Sequence, residues 1–296
     1  MKILITGSNG LTGHKIVFQA IEQGFDVMAT SYSYNNLPEN NNYKFELLDI
    51  TNKAEVDYII GNFNPDVIIN TAGITKPDDC EKDNIKCRKV NIESVKNLVD
   101  IANKLSCKLI HFSTDFIFSG DKGMYSETDI PNPQNYYAQT KLESEQIVIN
   151  TCNKYAIIRT VLVYGYSKYL QKSNIVLWVK NNLEQNNPIK VVSDQYRTPT
   201  LVDDLAKATL TIADKNFDGI YHISGNEYLS VYEFALKIAN VFELDEQLIS
   251  PITSIELNEL AKRPAKTGFN ITKAFLDFNY TPTILDVGLK LMKTEF

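Results

Sequence analysis

Ile3-Leu4-Ile5-Thr6-Gly7-Ser8-Asn9-Gly10-Leu11-Thr12-Gly13 runs an apolar strand into three glycines spaced three apart, and then into a helix. A glycine loop between a buried strand and a helix N-terminus makes a phosphate cradle. The first glycine allows the tight turn, the second lets a pyrophosphate approach the backbone, and the third lets helix and strand pack closely. The anion then meets unpaired helix N–H groups at the positive end of the helix dipole. The plain alternative is a structural strand-turn-helix. The pattern is a variant of G-x-G-x-x-G, and it makes Gly7, Gly10, Leu11 and Gly13 candidate contacts for a dinucleotide.

Outward from this stretch the chain alternates strands and helices. Asp26 to Ser31 and Phe45 to Leu48 read as strands, as do Val67 to Ile69, Leu109 to Phe112 and Ala156 to Ile158. Val56, Ile59, Ile60 and Phe63 mark one amphipathic helix, and Leu98, Val99, Ala102 and Leu105 another. A further helix spans Tyr137 to Ile149. This alternation predicts an α/β fold, a Rossmann-type doubly wound parallel sheet with its site at the strands' carboxyl ends. The later part is less regular: Val191-Val192 and Ile220 to Ile223 read as strands, and Asn174 to Gln185, Val231 to Phe242 and Ile284 to Lys293 as helices. The expected division is a dinucleotide-binding domain over residues 1–165, rejoined by about 190–223. Residues 166–189 plus 224–296 then form a smaller, mostly helical substrate-binding cap.

The 296 residues suffice for a large core, and 44% hydrophobic with 22% charged residues is ordinary for a globular protein. A net charge of −6 argues against nucleic acid or an anionic membrane as partner. No apolar run approaches the roughly 18 residues of a membrane span and no signal peptide is expected, so a cytoplasmic location is the default. Cys80, Cys87, Cys107 and Cys152 lack metal-ligand spacing, so no metal site and four free thiols are expected. His14, His111 and His222 are scattered and read as packed structural residues.

Two Tyr/Lys pairs four residues apart occur, Tyr137/Lys141 and Tyr164/Lys168, and with 16 tyrosines one is expected by accident. Tyr164 lies in a post-strand turn. Tyr137 opens a helical stretch, where i and i+4 share a face. Ser113-Thr114-Asp115 follows an apolar strand and so falls in the site region. These types suit ketone reduction: a phenol gives the proton, a hydroxyl aligns the ketone oxygen, and a Lys ammonium lowers the phenol's high pKa. The catalytic candidates are therefore Thr114, Tyr137 and Lys141. The second strand ends Ala29-Thr30-Ser31-Tyr32-Ser33, with no acidic residue to repel a 2′-phosphate, so NADP(H) is expected to bind at least as well as NAD(H).

Together with Asn70-Thr71-Ala72-Gly73, these motifs resemble the extended short-chain dehydrogenase/reductase superfamily. Phe112 to Gly120, Arg159-Thr160, Asp194 to Thr200, Tyr221 to Ser224 and Arg263-Pro264 are similar to segments of the dTDP-4-dehydrorhamnose reductase family. The resemblance implies an NAD(P)H-dependent reductase that turns a 4-keto-6-deoxyhexose on a nucleotide into the 4-hydroxy sugar. It implies that Thr114 aligns the keto oxygen, Tyr137 is the general acid, and Lys141 holds the nicotinamide ribose. It also implies that Asp49 and Ile50 contact adenine, and that Ala72 and Gly73 line the cofactor. Two departures bear on the sugar and its nucleotide: Val161-Leu162 follow Arg159-Thr160 where the family carries Trp, and Ile74 to Glu81 differs from the usual run.

On the substrate side the candidates are Asp115, Arg197 and Arg263. Arg197 has Asp194, Asp203 and Asp204 close in sequence, so a salt bridge is its alternative; Arg263 has no such cluster immediately beside it. The expected partner is a nucleotide sugar, with a homodimer left open. Two other readings share the scaffold. One is a nucleotide-sugar epimerase or dehydratase, disfavoured where Phe116 follows Asp115. The other is a non-catalytic regulatory subunit similar to that of methionine adenosyltransferase.

Overall fold

The computed structural model describes residues 1–38, 42–169 and 174–296, so residues 170–173 of the expected cap lie outside the described residues. Six strands lead the central sheet: β1 (Lys2–Thr6), β2 (Asp26–Ser31), β3 (Tyr43–Leu47), β4 (Val67–Asn70), β5 (Lys108–Thr114) and β6 (Tyr155–Thr160). Four shorter ones follow: β7 (Val163–Tyr164), β8 (Ile189–Val192), β9 (Tyr196–Arg197) and β10 (Thr200–Leu201). Then β11 (Gly219–Ile223) returns to the sheet beside β6, completing the order β11-β6-β5-β4-β1-β2-β3. Every neighbouring pair in it is parallel. The order reverses between β1 and β4, whose carboxyl ends are Thr6 and Asn70.

Helices α1 (Leu11–Glu22), α2 (Lys53–Phe63), α3 (Pro77–Lys82) and α4 (Asn84–Arg88) precede a π turn over Lys89–Glu93, which runs into α5 (Ser94–Leu105). Next come α6 (Tyr136–Thr151), α7 (Ile175–Glu184), α8 (Val202–Asp214), α9 (Val231–Phe242), α10 (Ser254–Leu257), α11 (Thr272–Phe278) and α12 (Leu285–Lys293). Strand residues alternate between two apolar layers, as a sheet covered on both faces requires. Ile3, Ile5, Ile110, Ala156 and Ile158 pack with α1 and α8. Leu4, Ile68, Leu109 and Ile157 pack with α2, α5 and α6. A third core joins Val176 and Val179 of α7, Phe234 and Ile238 of α9, and Leu289 and Met292 of α12.

Three local expectations change. Val191-Val192 lies in β8, which pairs in parallel with β13 (Ile249–Ile252) outside the central sheet. The chain therefore rejoins the large sheet later than residue 190, through α8 packing under it and β11 at its edge. Short apolar runs such as Ile189–Val192 suit either sheet, and only tertiary pairing decides. Cys80 and Cys87 are not free thiols: they form a disulfide, and Cys107 and Cys152 are the free, buried ones. Seven residues along one helix would separate the two Cα atoms by about 10 Å. The break at Asp83 folds α3 against α4 and brings them to 5.1 Å. Among the described residues no helix is long and apolar enough to cross a membrane.

Candidate active site

The glycine loop sits at the point where the strand order reverses. Gly7 has φ +72°, and a Cβ there would lie 2.7 Å from the Ala72 nitrogen; one on Gly13 would lie 2.5 Å from the Gly7 carbonyl oxygen and 2.7 Å from Thr71 Oγ1. Bare backbone at both positions lets the segments after β1 and β4 touch. Gly10 caps α1 without a side-chain hydrogen bond, leaving the helix N-terminal N–H groups to face the cleft. That cleft, about 1500 Å³, is lined by Gly7, Gly10, Leu11, Gly13, Asp49, Ile50, Ala72 and Gly73 on one side. Thr114, Asp115, Tyr137, Lys141, Arg197 and Arg263 line it as well. All fourteen candidates thus share one cavity.

The end of β2 contributes Thr30, Ser31, Tyr32 and Ser33 to its wall, and no carboxylate among them. Asn9 fixes this edge: its Nδ2 donates to Ser33 Oγ at 3.2 Å and the Tyr34 carbonyl at 2.5 Å, and its Oδ1 accepts from the Asn36 N–H. Asp49 is occupied locally, accepting from both the amide and the hydroxyl of Thr51.

Helix α6 carries Tyr137 and Lys141 one turn apart, both at least nine-tenths buried. Asn135 starts it, accepting from the Ala138 N–H at 2.8 Å while donating to the Lys262 carbonyl. Tyr164 lies instead in the cap core, which leaves Tyr137/Lys141 as the pair at the site. Burial pushes the Tyr137 phenol up, Thr114's hydrogen bond opposes this, and Asp115 adds to the rise. The expected lowering by Lys141 is absent among the protein's own groups. The reason is geometric: Lys141 Nζ lies against His111 Nε2 at 3.4 Å, and burial lowers its own pKa to about 8, Glu145 opposing. The phenol is therefore held protonated, the state a proton donor needs.

Thr114 Oγ1 donates to Asp115 Oδ1 at 3.0 Å, and Thr267 donates to the other carboxylate oxygen. Arg197 Nε faces Asp115 at 3.7 Å. Its remaining donors go to the carbonyls of Tyr196, Pro264 and Ala265 and to Gln195 Oε1. The acidic partner of Arg197 is thus Asp115, not Asp194, Asp203 or Asp204: Asp194 holds Ser254, Asp204 holds Thr283, and Asp203 pairs with Lys15. Nor is Arg197 free for a bidentate phosphate contact, since five protein oxygens surround it. Arg263 also differs from expectation. It pairs with Glu259, four residues back in the loop after α10, and with Asp78 of α3 at 2.8 Å.

Several residues of the site had no assigned role in the sequence. Ser113 Oγ is buried without a hydrogen-bond partner beside Thr114, in the cleft wall. Asn91, in the π turn, holds the Ile74 backbone through both N–H and carbonyl and donates to Thr140 of α6. Glu145, two turns beyond Tyr137, receives Arg159 of β6 through three contacts of 2.7–3.3 Å. The available signal was strand alternation: Leu109, His111 and Ser113 share the face that α6 covers, as do Ile157 and Arg159.

A doubly wound sheet with a glycine loop at the strand-order reversal, and a Thr–Tyr–Lys set between β5 and α6, defines an extended short-chain dehydrogenase/reductase. Within that class the chain belongs to the RmlD substrate binding domain family, whose model matches residues 1–295. It is 32% identical over 303 residues to the dTDP-4-dehydrorhamnose reductase of Aggregatibacter actinomycetemcomitans, covering 98% of this chain and 97% of that one. It is also 32% identical over 257 residues to the methionine adenosyltransferase 2 subunit beta of Xenopus laevis, covering 85% and 75%. The dTDP-4-dehydrorhamnose reductase of Bacillus anthracis, solved with NADP, superposes with a TM-score of 0.90 at 28% identity, covering 100% and 99%.

Replacing Arg159 by Met would leave the Glu145 carboxylate buried without a partner. The expected loss is about 3–5 kcal/mol of stability. Urea unfolding measures it, and the double variant R159M/E145Q should recover a large part; an unchanged midpoint for R159M would mean the pair does not hold α6 to β6.

Proposed function

We propose that the chain is an NAD(P)H-dependent reductase of a 4-keto-6-deoxy nucleotide sugar, as the dTDP-4-dehydrorhamnose reductases it resembles are named to be. One observation carries the reading: Thr114, Tyr137 and Lys141 open into the same cleft as the glycine loop. The residues fit a dinucleotide on this chain's own geometry: Gly7 and Gly13 let the loop close against the segment after β4, and Gly10 leaves the first N–H groups of α1 without a side-chain cap beside the cleft. Gly7, Gly10, Leu11 and Gly13 would hold the pyrophosphate, Asp49 and Ile50 the adenine, and Ala72 and Gly73 the inner wall. NAD(P)H supplies a hydride when bound.

The chain's own residues do the rest. Tyr137, kept protonated by burial, gives its proton to the carbonyl oxygen. Thr114 would align that oxygen by turning its single hydroxyl proton to it from Asp115 Oδ1, where it is directed without substrate. Lys141, in the cleft wall one turn from Tyr137, would offer its ammonium to a ribose and to the phenolate left by proton transfer. Asp115 and Arg263, which lines the cleft while paired with Asp78 and Glu259, are the substrate-side residues of this reading, with Arg197 holding Asp115. The intact Thr–Tyr–Lys set favours turnover over a purely regulatory role, and the location that goes with this reading is cytoplasmic. Oxidation of NADPH by a panel of 4-keto sugar nucleotides tests it, and absence of turnover with all of them would return the regulatory-subunit reading.

Tyr137→Phe should fold and bind NADPH as wild type does, while kcat falls about 10²–10⁴-fold. More than a tenth of wild-type turnover would remove Tyr137 from its role. Because Lys141 loses its proton above about pH 8, kcat/KM should decline as pH rises through that value. A profile flat up to the ordinary lysine pKa, about 10, would show the ammonium is not needed in that window. Calorimetry should give NADPH binding at least as tight as NADH, since no acid stands at the end of β2; NADH bound tenfold tighter would refute this.

A further inference from the structure

Beneath Lys141 a chain of buried polar groups crosses from β1 to α6. Thr6 Oγ1 donates to Asn70 Oδ1 at 2.7 Å, which turns the Asn70 amide nitrogen toward His111, 3.1 Å from Nδ1. The other ring nitrogen, Nε2, lies 3.0 Å from Ser144 Oγ, and that hydroxyl directs its single proton to the Lys141 carbonyl at 2.7 Å. Asn70 therefore donates to the ring and Ser144 accepts from it. The proton placement that satisfies both is a neutral imidazole protonated on Nε2.

Lys141 Nζ sits 3.4 Å from that same Nε2. An N–H facing an ammonium offers it no acceptor. The nearest carboxylate, Glu145, already receives Arg159 on both oxygens. On the side of His111, Lys141 thus meets a donor. The opposite tautomer would turn a lone pair toward Nζ and hold the ammonium inward, away from the cleft.

We propose that His111 is a positioning residue for Lys141. Fixed as the Nε2–H tautomer by Asn70 and Ser144, it denies the ammonium an acceptor in the core and leaves its N–H groups for the cleft. The functional consequence rests on the reading of Lys141 as a ligand-holding group; the tautomer itself does not.

15N-histidine spectra of the full chain, assigned by difference with H111Q, test the tautomer directly. The expected ring is protonated at Nε2 and unprotonated at Nδ1, unchanged from about pH 6 to about pH 9. An Nδ1–H ring, or a ring titrating in that window, overturns the proposal whatever the kinetics give. H111F keeps a ring without donor or acceptor, and should lower kcat about 10²-fold, the scale of a displaced catalytic group, with the ketone KM little moved. H111Q, whose amide accepts from Asn70 and donates to Ser144, should recover most of that loss. Equal losses in both, or none in H111F, overturn the proposal. Where H111F does not fold, S144A replaces it: the ring loses its acceptor, and a kcat loss with an unmoved thermal midpoint is expected, unchanged kcat overturning the idea. A wild-type chain without turnover but with the Nε2–H ring would sink the reductase reading while supporting the tautomer assignment.

Discussion

Helix α6 buries a polar face, and the site is organised around that constraint. Tyr137, Thr140, Lys141, Ser144 and Glu145 all turn inward, and a buried polar group without a partner costs roughly 1–3 kcal/mol, more if charged. The sheet beneath must therefore supply partners at matching heights. It does so on the single face that α6 covers, where strands apolar in their middles become polar at their carboxyl ends. Leu4 gives way to Thr6, Ile68 to Asn70, Leu109 to His111 and Ser113, and Ile157 to Arg159. Each of these meets α6 or a neighbour in the same layer, except the Ser113 hydroxyl, which has no partner among the described residues.

That layer explains why the catalytic candidates stand at this end of the sheet. Below it, apolar residues seal α6 to the strands; above it lies the cleft. Tyr137 and Lys141 sit at the boundary, close enough to the core for burial to shift both and near enough to the cavity to line it. The same burial keeps one group a proton donor and makes the other a weaker base. Glu145 takes no direct part, yet its charge, anchored by Arg159, keeps the Lys141 proton from being lost at still lower pH.

Much of this was legible in the residues. The glycine loop, the 3.6-residue period of α9 and the Tyr137–Lys141 spacing are local signals, and they placed the fold, several helices and the Tyr–Lys pair that lines the cleft. What escaped reading depends on contacts between distant segments. Arg263 finds Asp78 185 residues away, and β8 chooses β13 over the large sheet. The Cys80–Cys87 bond needs the break at Asp83, whose φ of −140° and ψ of 79° take the backbone out of the helix. One miss was local in sequence but not helical: Glu259 stands four residues before Arg263 in the non-helical segment after α10, and loop geometry brings the two together.

The cap joins this arrangement through a carboxylate as well as through apolar contacts such as Ala274 and Tyr280 against the sheet and Phe269 against Phe118. Asp115, at the end of β5, is 3% exposed and held up in pKa by burial, with Arg197 as its counter-charge. Arg197 belongs to β9, whose partner β12 (Leu229–Ser230) leads into α9, so the ion contact reaches from the central sheet to the cap core. Thr267 donates to the same carboxylate from the segment that leads to α11. Thr114 then takes its orientation from Asp115, one residue along. A displacement of the cap would therefore change the partners of Asp115 before it disturbed the glycine loop. The Thr114 hydroxyl is coupled to the cap's position, whereas the glycine loop is held by packing between β1, β4 and α1 and by the bonds of Ser8 and Asn9 to the end of β2.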